Sequence, residues 1–423
     1  VDPANRATFT DGFPQRLTYG QLSQHIDALS DLYFRGGIRE NDIVVIQLPN
    51  IIELPITYLA LARLGAIVSP VPVQYGAHEL NQAIEKLDPA AYVTVSNLKS
   101  QNLSEAHGRL FEQQCPVFSF GDDVGAAIIP LNLQCHTPSP AWQTYVETRT
   151  ASANDILTIC WTSGTTGSPK GVPRSHNHWI ISGISSSDSA SMTSEDIILN
   201  PFPMVNMAGL GGFLFPWLLS GNTLVLHHPF DLNQFLQQIA DESVSYTIAA
   251  PALLNMLLKD PDIMAATDLS SLRAIGSGGS PLTEWMVSTF QNDYNIPVSN
   301  IFGSNEGMCL SSSAVDLPNP ADRAVFFPRY GLPGVQWKSR VSKMTKTRLV
   351  DASSGKEIVM AGIQGELEIS GPSVFDGYWQ SEQDNLQVFS EDGYFRTGDV
   401  FEIVDDPINS IYYRFVGRSK DII

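Results

Sequence analysis

Residues 155–171 read DILTICWTSGTTGSPKG, a short apolar run that passes without a break into ten positions lacking any large apolar side chain. The first seven residues have the length and composition of a buried strand. In the rest, Gly164, Gly167 and Gly171 carry no Cβ, so main-chain N–H groups can close on an anion. Hydroxyls of Thr162, Ser163, Thr165, Thr166 and Ser168 add donors, and Lys170 adds a positive charge. A strand that surfaces into such a loop offers a polyphosphate its place at the ligand edge of an α/β sheet. It is not a Walker A loop, because Pro169 precedes Lys170 and Gly171 follows it.

Outward from this loop, apolar runs alternate with amphipathic stretches: DIVVIQL (42–48), AIVSPVPV (66–73), AAYVTVS (90–96), NTLVLHH (222–228), VSYTIAA (244–250) and LRAIGS (272–277) read as strands. TYGQLSQHIDALSDLYFRGG (18–37) reads as a helix between them. The pattern predicts an α/β fold of two layered, interleaved α/β subdomains with largely parallel sheets over 1–330. GELEISG (365–371), GYFRTGDVFEIV (393–404) and SIYYRFVGR (410–418) lose helical periodicity, which predicts a small C-terminal β-barrel-like subdomain over 331–417. SSSDSASMTSED (185–196) reads as a surface loop leading to a helix or strand start, and MAGLGGFLFPWLL (207–219), which contains Pro216 and is too short for a membrane span, as a buried, gently broken helix.

With 423 residues and a formal net charge of −19, the chain exceeds a single core and offers no basic run for nucleic acid. Cys115, Cys135, Cys160 and Cys309 lack CxxC spacing and read as reduced, small buried residues of a cytoplasmic protein. His176 with His178, and His227 with His228, lack metalloprotease spacing and read as surface or pocket-edge residues. No GxSxG elbow supports a serine hydrolase.

Three further stretches extend the phosphate reading. In IFGSNEG (301–307), Phe302 can stack on a flat base and Glu306 can hold Mg²⁺ against phosphate oxygens. In YFRTGDV (394–400), Asp399 can accept from two ribose hydroxyls, and Arg418 of GRSKD can reach the same sugar. Alone, each would be an ordinary turn; in series they describe a nucleotide site.

RLTYGQL (16–22), QLPNIIELPITYLALARLGAIVSPVPV (47–73), TSGTTGSPKGVPRSH (162–176), IGSGGSPL (275–282), IFGSNEG, GELEISGP, YFRTGDV and GRSKDII together resemble the signatures of the adenylate-forming superfamily, in order and over essentially the whole chain. That superfamily contains acyl-CoA synthetases, aryl-acid ligases, adenylation domains of nonribosomal peptide synthetases and luciferases. The resemblance implies that a carboxylic acid is coupled to ATP, with Mg²⁺, releasing pyrophosphate and forming an acyl-adenylate. CoA or the phosphopantetheine of an acyl carrier protein then takes the acyl group.

By that resemblance, Thr162 to Lys170 clamp the β- and γ-phosphates, with Lys170, Thr166, Asn305 and Glu306 as catalytic residues and Glu306 as metal ligand. Gly278, Gly279, Phe302 and Gly303 frame adenine, and Asp399 with Arg418 holds ribose. The family usually has Tyr at the position of Phe302 and Thr at that of Asn305. Met204, Val205, Asn206, Met207 and Gly209, with Gly279, Gly307 and Met308, are expected to line the acid pocket. Members that activate amino acids place an Asp near 204–206 to pair with the ammonium; none stands here, so a fatty or aryl acid without an α-amino group is expected. Asn206 can bond a substrate hydroxyl or cap a helix. Residues 418–423 are expected to begin a hinge, with Asp421 at the pivot, toward a mobile lid domain absent from these residues, so that this piece adenylates slowly. The alternatives are an amino-acid-activating or loading domain, and an inactive nucleotide-binding regulatory module.

Overall fold

The computed structural model describes residues 1–122, 124–162, 169–406, 408–419 and 421, without the side chains of 308 and 309. Two compact units divide it: Val1–His176 with Pro201–Gly209 and Val225–Asp231, and Asn177–Asn200 with Leu210–Leu224 and Leu232–Ile423.

The first unit is built on a seven-stranded sheet in the order Ile129–Leu131, Val117–Phe120, Ala91–Val95, Ile43–Ile46, Ile67–Pro70, Ile156–Thr162 and Lys170–Ser175. Its strands pair in parallel up to the last, which returns antiparallel to Ile156–Thr162. Three central strands, Ile43–Ile46, Ile67–Pro70 and Ala91–Val95, are buried along their whole length, as parallel strands covered on both faces must be. The helix Tyr19–Arg35 starts where the sequence places it, because Thr18 and Gln21 form a capping box.

The second unit holds a parallel run of Ile197–Asn200, Tyr246–Ile248, Ala274–Gly278 and Val298–Ser304, to which Met308–Ser312 adds antiparallel. A separate antiparallel sheet follows in the order Phe326–Pro328, Tyr412–Arg418, Phe395–Ile403, Gln364–Ser370, Lys346–Val350 and Glu357–Ile358. The expected α/β architecture with a small β-rich C-terminal region is therefore present. Among the described residues no helix is long and apolar enough to cross a membrane.

Two expectations need correction. The polar stretch 185–196 is not simply a loop: the helix His176–Ser189 runs into it, and Ser185, Ser187 and Ser189 are buried. The buried hydroxyls find partners: Ser189 donates to the Ser186 carbonyl at 2.9 Å, and Ser187 stands 3.4 Å from the Ser220 hydroxyl. Cys135 is exposed, whereas Cys160 is buried and Cys115 intermediate; all three are free thiols. The apolar stretch at 207–219 is a broken helix as expected, with α-turns at Met207–Gly209 and Phe215–Ser220 flanking a π-helical segment at Leu210–Leu214.

Candidate active site

In the first unit, Thr162 pairs with Lys170 across the antiparallel edge of the seven-stranded sheet. Of its expected phosphate donors, Ser163, Gly164, Thr165, Thr166, Gly167 and Ser168 lie outside the described residues. Thr162 and Lys170 are half-buried. Lys86, which the sequence reading did not single out, donates its ammonium to the Pro169 carbonyl and ties the returning end of the loop to the helix Ala77–Leu87.

The same unit carries Met204 to Gly209. Here the main chain is held on several sides: Tyr58 Oη donates to the Met204 carbonyl at 2.6 Å, and Asn50 Nδ2 to the Phe202 carbonyl at 2.8 Å. Asn206 Oδ1 accepts from the N–H groups of Ala208 at 3.1 Å and Gly209 at 3.4 Å, which is the capping role. Met204 is completely buried, while Val205, Asn206 and Met207 are partly exposed. Gly279, Gly307 and Met308, the other expected pocket residues, belong to the second unit.

That second unit gathers the nucleotide candidates around one cavity of about 330 Å³, lined by Gly279, Phe302, Gly303, Asp399, Phe415 and Arg418 among others. Gly278 ends its strand against Ile301; a Cβ there would stand 2.0 Å from the Ile301 carbonyl oxygen. Gly279 has φ +82° and open space before it, so the chain turns away and leaves the cavity wall free of side chain. Phe302 packs against Phe401 at 5.0 Å between ring centres, and against Phe327 at 5.7 Å and Phe415 at 5.9 Å, while still lining the cavity. Ser304 Oγ, also at the cavity, is buried with no hydrogen-bond partner among the described residues.

Asp399 stands directly opposite Arg418 in the antiparallel ladder, with Arg418 Nε 3.5 Å from its Oδ1. The carboxyl is 7% exposed, and burial pushes its pKa up to about 6; Arg418 works against that rise, and Glu366 and Glu306 add to it. Glu366 is held in turn by the Gly398 N–H at 2.9 Å. Glu306 lies in the turn between Val298–Ser304 and Met308–Ser312 and accepts from Tyr378 Oη on its Oε1 at 2.9 Å. One carboxylate completed by substrate phosphates and water suits Mg²⁺, which seldom sits in an all-protein cage.

Arg323 was not legible from the sequence. Fully buried, it donates to the carbonyls of Val298 at 2.8 Å and Leu317 at 2.7 Å, fixing the short helix Pro320–Val325 on the strand that carries Phe302. Burial lowers its pKa to about 10. The histidine expectation also needs correction: His178, His227 and His228 are buried at 8%, 1% and 9% exposure, and His227 Nε2 accepts the Asp231 N–H at 3.1 Å. Asp421 is exposed and its N–H bonds the Arg418 carbonyl at 2.9 Å.

The AMP-binding enzyme family model matches residues 2–379. The chain belongs to that family. Among its relatives, a probable CoA ligase of Humulus lupulus is 27% identical over 425 residues, 97% of this chain and 71% of that protein. An indoleacetate–CoA ligase of Aromatoleum aromaticum is 28% identical over 400 residues, 92% of this chain and 72% of that protein. ATP-bound MatB from Rhodopseudomonas palustris shares the fold, with a TM-score of 0.75 at 23% identity over 97% of this chain and 75% of that chain. This member of the AMP-binding family thus has acid–CoA ligases among its relatives and an adenylate-forming fold.

Proposed function

We propose that this AMP-binding enzyme activates a fatty or aryl carboxylic acid lacking an α-amino group. A carboxylate oxygen attacks the α-phosphorus of ATP, the bond to the leaving pyrophosphate breaks, and an acyl-adenylate forms. The thiol of CoA then attacks the acyl carbon and AMP leaves. The observation that carries the nucleotide half is the cavity shared by Gly279, Phe302, Asp399 and Arg418, with a Ser304 hydroxyl in its wall that has no partner among the described residues. Phe302 offers adenine an aromatic face, and Asp399 offers ribose a carboxylate. In this reading Lys170 and the hydroxyls of the segment 162–170 grip the phosphate tail, and Glu306 supplies the protein ligand for Mg²⁺, which would neutralise phosphate charge. Such positioning and charge neutralisation form the main catalytic resource for an anion attacking a polyanion.

The acid class rests on residues 203–209, which contain no carboxylate, and on Asn206, whose Oδ1 is committed to main-chain donors. An ammonium buried there would lack a counter-charge. The indoleacetate–CoA ligase among the relatives favours an aryl acid and CoA as acceptor over a carrier protein. The test is ATP–pyrophosphate exchange by the protein with a panel of fatty, aryl and amino acids. Exchange with an aryl or fatty acid is expected; exchange with amino acids alone would overturn the acid class, and none with any acid would favour a regulatory module.

A further inference from the structure

Residues 371–379, GPSVFDGYW, leave the strand Gln364–Ser370 and pass over the turn that carries Glu306. Three bonds fasten the two segments. Phe375 N–H donates to the Glu306 carbonyl at 2.8 Å, Ser373 Oγ donates to the Gly307 carbonyl at 3.1 Å, and Tyr378 Oη donates to Glu306 Oε1 at 2.9 Å. The last differs from the other two because it holds a charged side chain and not backbone.

Tyr378 is itself held. Asn385, on the helix Glu382–Val388, bonds both main-chain groups of Tyr378, accepting from its N–H at 2.7 Å and donating to its carbonyl at 3.1 Å. Gly377, at φ +144°, is needed for this closure, since a Cβ there would stand 2.9 Å from Asn385 Nδ2. The Tyr378 ring meets Phe375 edge-on at 4.9 Å, and Phe375 in turn packs on Phe395 at 5.5 Å. Among the described residues Tyr378 is the only hydrogen-bond donor to the Glu306 carboxylate, and it takes Oε1.

We infer that Tyr378, clamped by Asn385, is a positioning residue that fixes the Glu306 carboxylate through Oε1 and leaves Oε2 to meet a divalent cation. The inference rests on the reading of Glu306 as the metal-holding residue. A carboxylate fixed by a hydrogen bond to one oxygen loses less freedom when the other binds a cation. The effect belongs to binding of nucleotide with metal, not to nucleotide alone.

The experiment titrates ATP into the protein by calorimetry, once with excess Mg²⁺ and once with EDTA. Tyr378→Phe, which retains the ring packing, should weaken ATP binding about tenfold with Mg²⁺, the loss expected for a hydrogen bond to a charged group, and leave binding in EDTA within about twofold. Asn385→Ala should lose affinity in the same metal-selective way, to a smaller degree. With Glu306→Gln in the background, Tyr378→Phe should add nothing. If Glu306→Gln is itself without effect on Mg²⁺-dependent binding, the metal reading of Glu306 fails. If Glu306→Gln weakens that binding while Tyr378→Phe does not, or weakens it equally in EDTA, only the positioning role is overturned.

Discussion

The parallel and antiparallel sheets of the second unit bring residues to one cavity by different means. In the parallel run, Gly279, just past the strand end at Gly278, and Phe302 arrive near the carboxyl ends of adjacent strands, where main chain turns away and leaves room for a ligand. In the antiparallel sheet, Asp399 and Arg418 meet as cross-strand partners within a ladder, with the carboxyl buried and the guanidinium 70% exposed. The first arrangement depends on close backbone approach; the second keeps an ionisable group in a poor solvent for its charge. Packing therefore limits one side of the cavity, and electrostatics limits the other.

Gly278→Ala should break the packing side hardest. The Ile301 carbonyl cannot rotate out of the way of a new Cβ, so a loss of about 3 kcal/mol is expected from the denaturant midpoint. Gly279→Ala, one residue on, faces open space and carries only the strain of φ +82°, about 1–2 kcal/mol.

Asp399→Asn tests the electrostatic side, with the opposite sign. Its folded pKa of about 6 lies above the ordinary aspartate value of 3.8, so the native state holds the proton more tightly. Stability is untouched by this group below the unfolded pKa, falls as pH rises between the two values, and carries the full cost above about 6. The variant should therefore be more stable than the parent at pH 8, by about 1–3 kcal/mol, and equal to it near pH 3. It should bind ATP more weakly, and parental ATP affinity should decline below about pH 6 as the carboxylate protonates. Equal melting shifts at both pH values would remove the argument that burial strains this carboxyl.

Arg418→Ala should change least. An exposed partner 3.5 Å away contributes less than about 0.5 kcal/mol to stability. A melting shift beyond that would mean the exposed side of the ladder pair carries more than screening allows.

Elements whose signal lies in adjacent residues were legible in the sequence: Ile156–Thr162 ends in its polar loop, and Phe395–Ile403 and Tyr412–Arg418 fall where turn residues bracket apolar alternation. The misreadings came where solvent exposure had to be guessed from residue type. Buried Ser185 and Ser187, exposed Cys135 and buried His227 each depend on neighbours supplied by other segments. Asn206 had two readings, and the positions of the Ala208 and Gly209 N–H groups made capping its observed role.

The sequence by itself determined the polar, glycine-spaced character of the 162–171 loop, the order of the nucleotide motifs and the lack of a carboxylate in 203–209, since these are properties of neighbouring residues. Only the tertiary structure decided that Tyr378 reaches Glu306 across 72 positions, that Arg323 is buried on carbonyls, and that Asp399 resists ionisation. The reason is that hydrogen-bond partners and local dielectric are set by which distant segments pack together, and no local pattern encodes them.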